Sequence, residues 1–312
     1  MLPPHRPVKY GFDPSNPPEV PTELTAGEGS FYPSFDNRLF MFYRIWEPPR
    51  NQPIRATLLI IHGTVDHSGV YRQLGRELSG AGVAVIAMDM RGWGLSDGES
   101  MYFHDVDTFV KDVKFLSDKI HRIPRFENVK SRFLLGKSLG GLVTAYAVAR
   151  YPNEWKGLIG LSGGYQVEKD NIPAPVVVSI VNLLGWLAPK MFLKKAFDER
   201  LIVSDEAALE EWREDELCCK DKIRVGYGIE FMRCVDELET SIAAELSLPM
   251  LMMIGDEDRV VTLSGHEMMI RNNKSADKEL KVYPGGFHNL LQEPELNKMV
   301  KEDIQEWILN HS

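Results

Sequence analysis

The sequence predicts an α/β fold with a mostly parallel central sheet, helices on both of its faces, and an inserted helical cap. Short continuous apolar runs, such as Ala56–Gly63 and Val83–Met90, are typical of strands that are buried on both faces. These runs alternate with stretches of helical apolar spacing, which indicates βαβ units and therefore parallel strands. The alternation stops between residues 164 and 247, where helical patches follow one another with little strand signal.

Composition and charge exclude several classes of function. The chain has 312 residues and a formal net charge of −9, which argues against a nucleic-acid partner because such proteins usually present a basic surface. The cysteines Cys218, Cys219 and Cys234 have neither CxxC spacing nor paired histidines at zinc spacing. We therefore expect no disulfide framework, no metal site, and no metal or organic cofactor.

Residues 1–28 are rich in proline and polar side chains, and they predict an extended tail laid over the surface. They lack the apolar core of a signal peptide. No stretch of the chain reaches the roughly 18–20 apolar residues that a membrane span needs. We expect a cytoplasmic protein.

The elements of the core follow in order from residue 29. Gly29–Pro48 predicts a hairpin with its turn at Asp36 and Asn37. Buried strands are predicted at Ala56–Gly63, Val83–Met90, Arg132–Lys137, Lys156–Gly163, Leu248–Asp258 and Leu280–His288. Helices are predicted between them at Val70–Leu78, Val106–Ile120 and Leu139–Arg150, with another after Asp258 and one at the C-terminal end. The core therefore comprises residues 29–163 and 248–312, and the helical cap comprises residues 164–247.

Four polar segments fall at the predicted carboxyl ends of strands, the edge at which ligands of α/β sheets bind. They are His62–Thr64, Gly136–Gly140, Asp256–Asp258 and His288. In the second, Ser138 occupies the centre of a GxSxG pattern between a strand and a helix, a turn that exposes a serine hydroxyl. Glycines flank it because the turn is tight and crowded. The pattern predicts a nucleophile rather than a plain turn serine.

A serine nucleophile needs a base, and the base needs a carboxylate to orient it. His288 is the candidate base, since it follows a predicted strand and a Pro-Gly-Gly turn at the same edge of the sheet. His62 is interpreted as a structural histidine. Asp256, Glu257 and Asp258 are all candidates for the carboxylate, and the residues alone leave the choice open.

The chain order serine, aspartate, histidine is that of α/β-hydrolases. Four motifs occur together: HGTVDHSGVY at His62–Tyr71, DMRGWGLSDG at Asp89–Gly98, GKSLGG at Gly136–Gly141, and GDEDRVV…YPGGFH at Gly255–His288. As a set they make the chain resemble an α/β-hydrolase of the monoacylglycerol lipase type, a group also called serine aminopeptidase S33-like or hydrolase-4. The resemblance extends from Gly29 to the C-terminal end and implies the α/β-hydrolase fold.

The resemblance also implies roles for individual residues. In the pattern G-x-x-D followed by a basic and two apolar residues, the aspartate is the catalytic acid, which is Asp258 here; the implied triad is Ser138, Asp258 and His288. The implied oxyanion hole consists of the backbone N–H groups of Thr64 and Leu139. Asp66 matches an acidic residue of the same loop, either as a ligand of a glycerol hydroxyl or as a carboxylate that orders the loop.

Three positions depart from the family pattern. Lys137 stands where relatives more often have histidine or aspartate, Trp93 replaces the histidine of D-x-R-G-H-G, and Leu291 stands where animal monoacylglycerol lipases have a second histidine. The triad survives all three changes. They weaken the assignment to monoacylglycerol.

The strongly apolar stretch Ala174–Leu193 characterises the cap. Packing on the core and an entrance for an acyl chain are equally weighted explanations. The second predicts that Trp186 contacts the substrate, that the cap transiently contacts a membrane surface, and that the protein is peripherally membrane-associated.

These observations predict a serine hydrolase for lipid esters that cleaves monoacylglycerol to glycerol and free fatty acid through an acyl-enzyme on Ser138. The alternatives among enzymes are a lysophospholipase, a carboxylesterase for small or aromatic esters, and an acyltransferase that passes the acyl group to an alcohol. The alternative outside enzymes is a catalytically silent binding protein of the same fold. Such proteins commonly lose a triad member, and none is lost here.

Overall fold

The computed structural model of the chain describes residues 28–168, 185, 187–192 and 198–312. Most of the predicted tail, Trp186 and most of the apolar stretch Ala174–Leu193 lie outside these residues. The interpretations given for them, and the cap boundaries at residues 164 and 247, stay predictions.

A single sheet of eight strands forms the centre of the described chain, in the order β1-β2-β4-β3-β5-β6-β7-β8. The strands are β1 Gly29–Pro33, β2 Phe40–Trp46, β3 Ala56–Ile61, β4 Val83–Asp89, β5 Arg132–Lys137, β6 Gly157–Leu161, β7 Met250–Gly255 and β8 Lys278–Tyr283. The pairs β1–β2 and β2–β4 are antiparallel, and all the other pairs are parallel. The predicted hairpin and the predicted mostly parallel sheet are both confirmed.

Helices connect the strands and cover both faces of the sheet. They are α1 Arg72–Gly80, α2 Val106–His121, α3 Leu139–Arg150, α4 Glu206–Glu214, α5 Val225–Thr240, α6 Leu263–Asn272 and α7 Asn297–Asn310. Successive residues of β3 point to opposite faces, so that Leu59 packs with α2 and α3 whereas Leu58 packs with α1 and α7. The two apolar cores explain why the inner strands carry apolar side chains on both faces.

The parallel arrangement brings the carboxyl ends of β3, β5 and β7 to one edge of the sheet, where the site lies. The strand predicted to run through Asp258 ends earlier, at Gly255, because the chain turns there and the Asp258 amide donates to the Gly255 carbonyl at 3.3 Å. His288 likewise follows a loop after β8 rather than ending that strand. Both side chains are therefore carried by loops above the edge of the sheet.

Between β6 and β7, the described residues form helices α4 and α5. Helix α4 begins after Asp205, whose side chain accepts a hydrogen bond from the Ala208 amide. Helix α5 lies against the core and buries Tyr227, Cys234 and Leu238. No helix in the described part of the chain is long and apolar enough to cross a lipid bilayer.

Candidate active site

Ser138 lies on the sharp turn between β5 and α3. Its backbone has φ 52° and ψ −120°, a conformation that L-residues adopt only where the surroundings enforce it. Its amide donates to the Ser162 carbonyl at 3.1 Å, and its carbonyl accepts from the Gly164 amide at 2.8 Å. Lys137 and Leu139 on either side are buried, whereas Ser138 is partly exposed. The turn therefore presents the serine to the edge of the sheet.

The two glycines of the GxSxG pattern are required by close contacts. A Cβ atom at Gly140 would lie 2.0 Å from the Ile61 carbonyl oxygen, and one at Gly136 would lie 2.3 Å from the Gly140 carbonyl oxygen. The start of α3 thus packs directly against the end of β3. This contact brings the Ser138 turn beside the loop that follows β3.

His288 and Asp258 form a buried pair. Nδ1 of His288 lies 2.8 Å from Oδ2 of Asp258, and the two side chains are 5% and 0% exposed. The other carboxylate oxygen of Asp258 accepts from the amides of Val260 and Val261. Burial raises the pKa of Asp258, but His288 and these amides outweigh it and leave the pKa below its ordinary value. The ionised carboxylate accepts from Nδ1–H of His288, which leaves Nε2 of the ring as a proton acceptor.

The structure separates the three acids among which the residues alone did not choose. Asp256 and Glu257 are exposed; Asp256 accepts from the Gly285 amide, and Glu257 pairs with Arg259. Asp258 is buried and contacts His288. Its burial follows from the turn after Gly255, and in the sequence only the family pattern G-x-x-D distinguishes it from its neighbours.

The amides of Thr64 and Leu139 lie in the loop after β3 and at the first position of α3. Neither donates a hydrogen bond to another residue within the described part of the chain. Leu139 is the first residue of α3, where backbone N–H groups have no partner inside the helix. Two such donors beside Ser138 form an arrangement that suits a developing oxyanion.

Two aromatic residues hold Thr64, and sequence reasoning assigned neither of them this role. Nε1 of Trp93 donates to the Thr64 carbonyl at 2.5 Å. The Thr64 and Tyr227 hydroxyls lie 2.6 Å apart. Trp93, which departs from the family pattern, is therefore a support of this loop, and Tyr227 connects the loop to helix α5. Because Tyr227 lies 163 residues away in the chain, no local signal indicates its contact.

The hydroxyl of Ser138 makes no hydrogen bond to any described residue, His288 included. Its neighbourhood is nevertheless close-packed: a Cβ atom at Gly63 would lie 3.1 Å from Cβ of Ser138 and 3.1 Å from Oδ2 of Asp66. The structure thus brings the loop after β3, Ser138 and Asp66 together. His62, one residue earlier, has both ring nitrogens engaged by the backbone of Gly63 and Met90, as expected of a structural histidine.

Lys137, one residue before Ser138, carries a buried ammonium group. Its Nζ donates to Oδ2 of Asp66 at 2.5 Å and also to Oδ1 of Asn289. Burial raises the pKa of Asp66, but the charge and hydrogen bond of Lys137, together with His62 and His288, outweigh it and leave the pKa below its ordinary value. Asp66 belongs to the loop after β3 and Asn289 follows His288. Lys137 therefore ties together the two loops that flank Ser138.

A groove of about 420 Å³ opens beside this network. Asp66 and Asn289 line it from the core, and Trp212 of α4 lines it from the other side. Leu291, where animal relatives have a second histidine, also lines it. The lining of the groove therefore mixes carboxylate and amide groups with apolar side chains.

His67, Asp215 and Cys218 also meet near this groove, with their ligand-type atoms within 4.8 Å of one another. Nδ1 of His67 accepts from the Gly69 amide at 3.1 Å, so Nε2 carries the proton and donates to Asp215 at 2.9 Å. A metal would need the Nε2 lone pair, which this tautomer lacks. Burial also raises the pKa of the Cys218 thiol. This set of donors does not suit a metal. The hydrogen bond between His67 and Asp215 instead joins the loop after β3 to the segment after α4.

Comparison with known proteins places the chain in a family. The family model described as serine aminopeptidase, S33 matches residues 52–295. The monoacylglycerol lipase of Mycolicibacterium smegmatis is 31% identical over 270 residues, which cover 86% of this chain and 92% of that protein. The monoglyceride lipase of Homo sapiens is 29% identical over 270 residues, or 86% of each chain.

The solved structures show the same fold. A soluble variant of the monoglyceride lipase from Saccharomyces cerevisiae, in complex with a substrate analog, has a TM-score of 0.81 at 23% identity and covers 91% of this chain and 95% of that chain. The Paleococcus ferrophilus monoacylglycerol lipase has a TM-score of 0.77 at 24% identity, with 87% and 99% covered. With a family model matched over most of its length, the chain belongs to the serine aminopeptidase S33 family and has the α/β-hydrolase fold.

Proposed function

We propose that this protein is a serine ester hydrolase that cleaves monoacylglycerol to glycerol and a free fatty acid. The observation that carries the proposal is the buried Asp258–His288 pair at the same edge of the sheet as the strained turn that presents Ser138. In this proposal Ser138 is the nucleophile, His288 the general base and then acid, and Asp258 the residue that fixes the imidazole. The relatives named as monoacylglycerol lipases support the substrate class.

The chemistry follows from the hydrogen-bond pattern. With Nδ1–H bound to the Asp258 carboxylate, Nε2 of His288 takes the Ser138 proton as Oγ attacks the ester carbonyl. The Thr64 and Leu139 amides stabilise the negative charge on the carbonyl oxygen, a contribution worth about 10²–10³ in rate for one donor. His288 then protonates the leaving alcohol. In the second half of the reaction, water attacks the acyl-enzyme with His288 as the base, and His288 returns the proton to Ser138 as the fatty acid leaves.

Asp66 is the proposed contact for the alcohol part of the substrate. Its Oδ2 accepts a hydrogen bond from Nζ of Lys137, and the same carboxylate lines the groove beside the site. An ionised carboxylate accepts hydrogen bonds from hydroxyl groups, which suits glycerol and does not suit an alcohol without a free hydroxyl. Trp186, outside the described residues, stays the predicted contact for the acyl chain.

The cap residues Leu187, Met191 and Phe192 support contact with a lipid surface. They are 63%, 41% and 47% exposed, which is unusual for side chains of this size so close together. We propose that they insert at the acyl boundary of a bilayer. Sedimentation with phosphatidylcholine vesicles tests this: Leu187→Ser with Phe192→Ser should weaken binding, whereas Met299→Ser, at a 43% exposed apolar residue of α7, should not. Equal binding by all three proteins contradicts the proposal.

Fatty-acid release from a series of monoacylglycerols of increasing chain length is the test of function. A lysophospholipid and a short aryl ester are assayed beside it, with wild type, Ser138→Ala and the control Ser241→Ala at an exposed serine. Activity that rises with chain length, persists in the control and disappears in Ser138→Ala is the expected result.

The other outcomes separate the alternatives. Activity on the short ester alone keeps the triad and rejects the lipid substrate. A preference for the lysophospholipid indicates that the alcohol part of the substrate is a phosphorylated alcohol and not glycerol. Absence of turnover, together with no reaction of Ser138 with a fluorophosphonate probe, rejects the enzyme and favours a binding protein.

A further inference from the structure

His266 of helix α6 is fully buried and makes two hydrogen bonds to backbone groups. Its Nδ1 lies 2.9 Å from the Thr262 carbonyl oxygen, and its Nε2 accepts from the Gly163 amide at 2.9 Å. The amide donor fixes Nε2 as the unprotonated nitrogen, so Nδ1 carries the proton and donates to Thr262. Only the neutral imidazole in this tautomer makes both bonds.

The two backbone groups belong to the segments that hold the nucleophile and the acid. Gly163 lies between Ser162 and Gly164, which bind the amide and the carbonyl of Ser138 at 3.1 and 2.8 Å. Thr262 follows the turn in which Val260 and Val261 donate to Asp258. His266 therefore joins the loop that anchors Ser138 to the loop that anchors Asp258, across 103 residues of chain between His266 and Gly163.

The anchoring loop has a conformation that needs such support. Ser162 has φ 45°, so both Ser138 and the residue whose carbonyl holds its amide adopt positive φ values. A backbone of this kind persists only where surrounding contacts over-determine it. The contacts that hold the loop include the bond from Gly163 to His266 and the edge-to-face packing of Tyr165 on the His266 ring, with centroids 5.1 Å apart.

We propose that His266 is a positioning residue for the reaction, which holds the Ser138 turn in register with Asp258 through the Gly163 and Thr262 backbone. It touches no reacting atom. This inference rests on the proposed function, which assigns Ser138 and Asp258 their catalytic roles. It goes beyond that function by placing part of the catalytic geometry in helix α6.

The electrostatic surroundings agree with a neutral imidazole. Burial lowers the pKa of His266 to about 4, against smaller opposing effects of the Thr262 carbonyl and the Asp258 charge. Asp258 and His288 are the charged or titratable groups that act on it, and the Tyr165 ring covers one side. A protonated ring would turn an N–H toward the Gly163 amide and break the link.

The test compares the rate at which a fluorophosphonate labels Ser138 in wild type, His266→Leu, His266→Asn and His266→Gln. The Gln side chain is long enough to accept from Gly163 and to donate to Thr262, whereas Asn is too short and Leu has no polar atom. We expect labelling and kcat to fall at least about 10-fold in the Leu and Asn variants, with KM within about twofold, because small displacements of a nucleophile are costly. His266→Gln should recover most of the rate.

Met269→Ala is the matched control, since Met269 is equally buried on the same helix and its side chain has no hydrogen-bond donor. It should lower Tm without slowing the labelling. Wild-type labelling rates in His266→Leu, or equal rates in the Asn and Gln variants, overturn the inference, as does slow labelling in Met269→Ala. If His266→Leu does not fold, the Asn and Gln pair decides. A wild type that is not labelled at all overturns the proposed function first, and this inference with it.

Discussion

Replacing Lys137 with methionine removes the ammonium group from a buried ion pair and keeps most of the side-chain volume. Lys137 and Asp66 are 5% and 2% exposed, with Nζ and Oδ2 2.5 Å apart. The variant leaves the Asp66 carboxylate buried without its countercharge. Breaking a buried pair in this way costs about 3–5 kcal/mol of the free energy of unfolding. This loss is a large share of the roughly 5–15 kcal/mol that a domain has in total, so it is readily measured.

The size of this loss depends on pH, and the direction of the pH dependence follows from the pKa of Asp66. In wild type the pKa of Asp66 is held below its ordinary value by Lys137. Without Lys137, burial raises the folded-state pKa of Asp66 above the unfolded value of about 3.9. The folded variant then binds more protons than its unfolded chain, so its stability falls as pH rises through that window. The deficit relative to wild type should be smaller at pH 5 than at pH 8.

Urea unfolding at both pH values measures the effect, and two further variants control it. Lys137→Met combined with Asp66→Asn replaces the stranded charge with a neutral amide and should return to within about 2 kcal/mol of wild type. Lys298→Met breaks an exposed pair, with Lys298 83% exposed and 3.8 Å from Glu302, and should cost less than about 1 kcal/mol. A Lys137→Met variant within 1 kcal/mol of wild type at pH 8, or a deficit that does not change with pH, refutes the reasoning.

Three further predictions concern the same edge of the sheet. Asp258→Asn should lower kcat about 10⁴-fold with little change in Tm, because an amide no longer fixes the His288 tautomer; ester-hydrolysis kinetics test this, with the exposed Glu257→Gln as a control that should match wild type. Gly140→Ala should lower the free energy of unfolding by about 1–3 kcal/mol or more, since its Cβ would lie 2.0 Å from the Ile61 carbonyl oxygen. Gly80→Ala, where the added Cβ would have no atom within 4 Å other than those of its chain neighbours and its own helix backbone, should be neutral or stabilising. Equal urea midpoints for the two variants would contradict the packing argument. Finally, burial lowers the pKa of His266 to about 4, so the unfolded chain takes up a proton first as pH falls. The free energy of unfolding should therefore drop by about 3 kcal/mol between pH 6.5 and pH 4, and a His266→Gln variant with an equally steep drop would argue against it.

The parts of the site that sequence could predict depend on local patterns. The apolar runs predict the strands because a parallel sheet is covered on both faces. The GxSxG spacing predicts the turn because its two glycines face backbone atoms at close range. The order of Ser138, Asp258 and His288, with the family motifs, implied the acid. Of the three neighbouring acids, Asp258 is the one that contacts His288 in the structure.

The supporting contacts were beyond sequence reasoning because they join distant segments. Lys137 meets Asp66 across 71 residues and Asn289 across 152, and Thr64 meets Tyr227 across 163. The periodicity of apolar residues along the sequence does not indicate contacts between such distant residues. The one available signal is Lys137 itself, a charged residue that directly follows the buried apolar run 133–136. In the sequence it marks a departure from the family pattern, and nothing there shows it as the centre of a network.

These contacts share a physical purpose. The turn at Ser138 has a positive φ, and a strained turn relaxes unless several independent contacts hold it. Lys137 ties the turn to the loops before and after it, and His266 ties its anchoring loop to that of Asp258. Because each tie is a buried polar group with directed hydrogen bonds, it fixes position more sharply than apolar packing does. Loss of one tie should therefore reduce kcat more than its effect on stability alone would suggest, and double variants at Lys137 and His266 should show coupled rather than additive losses.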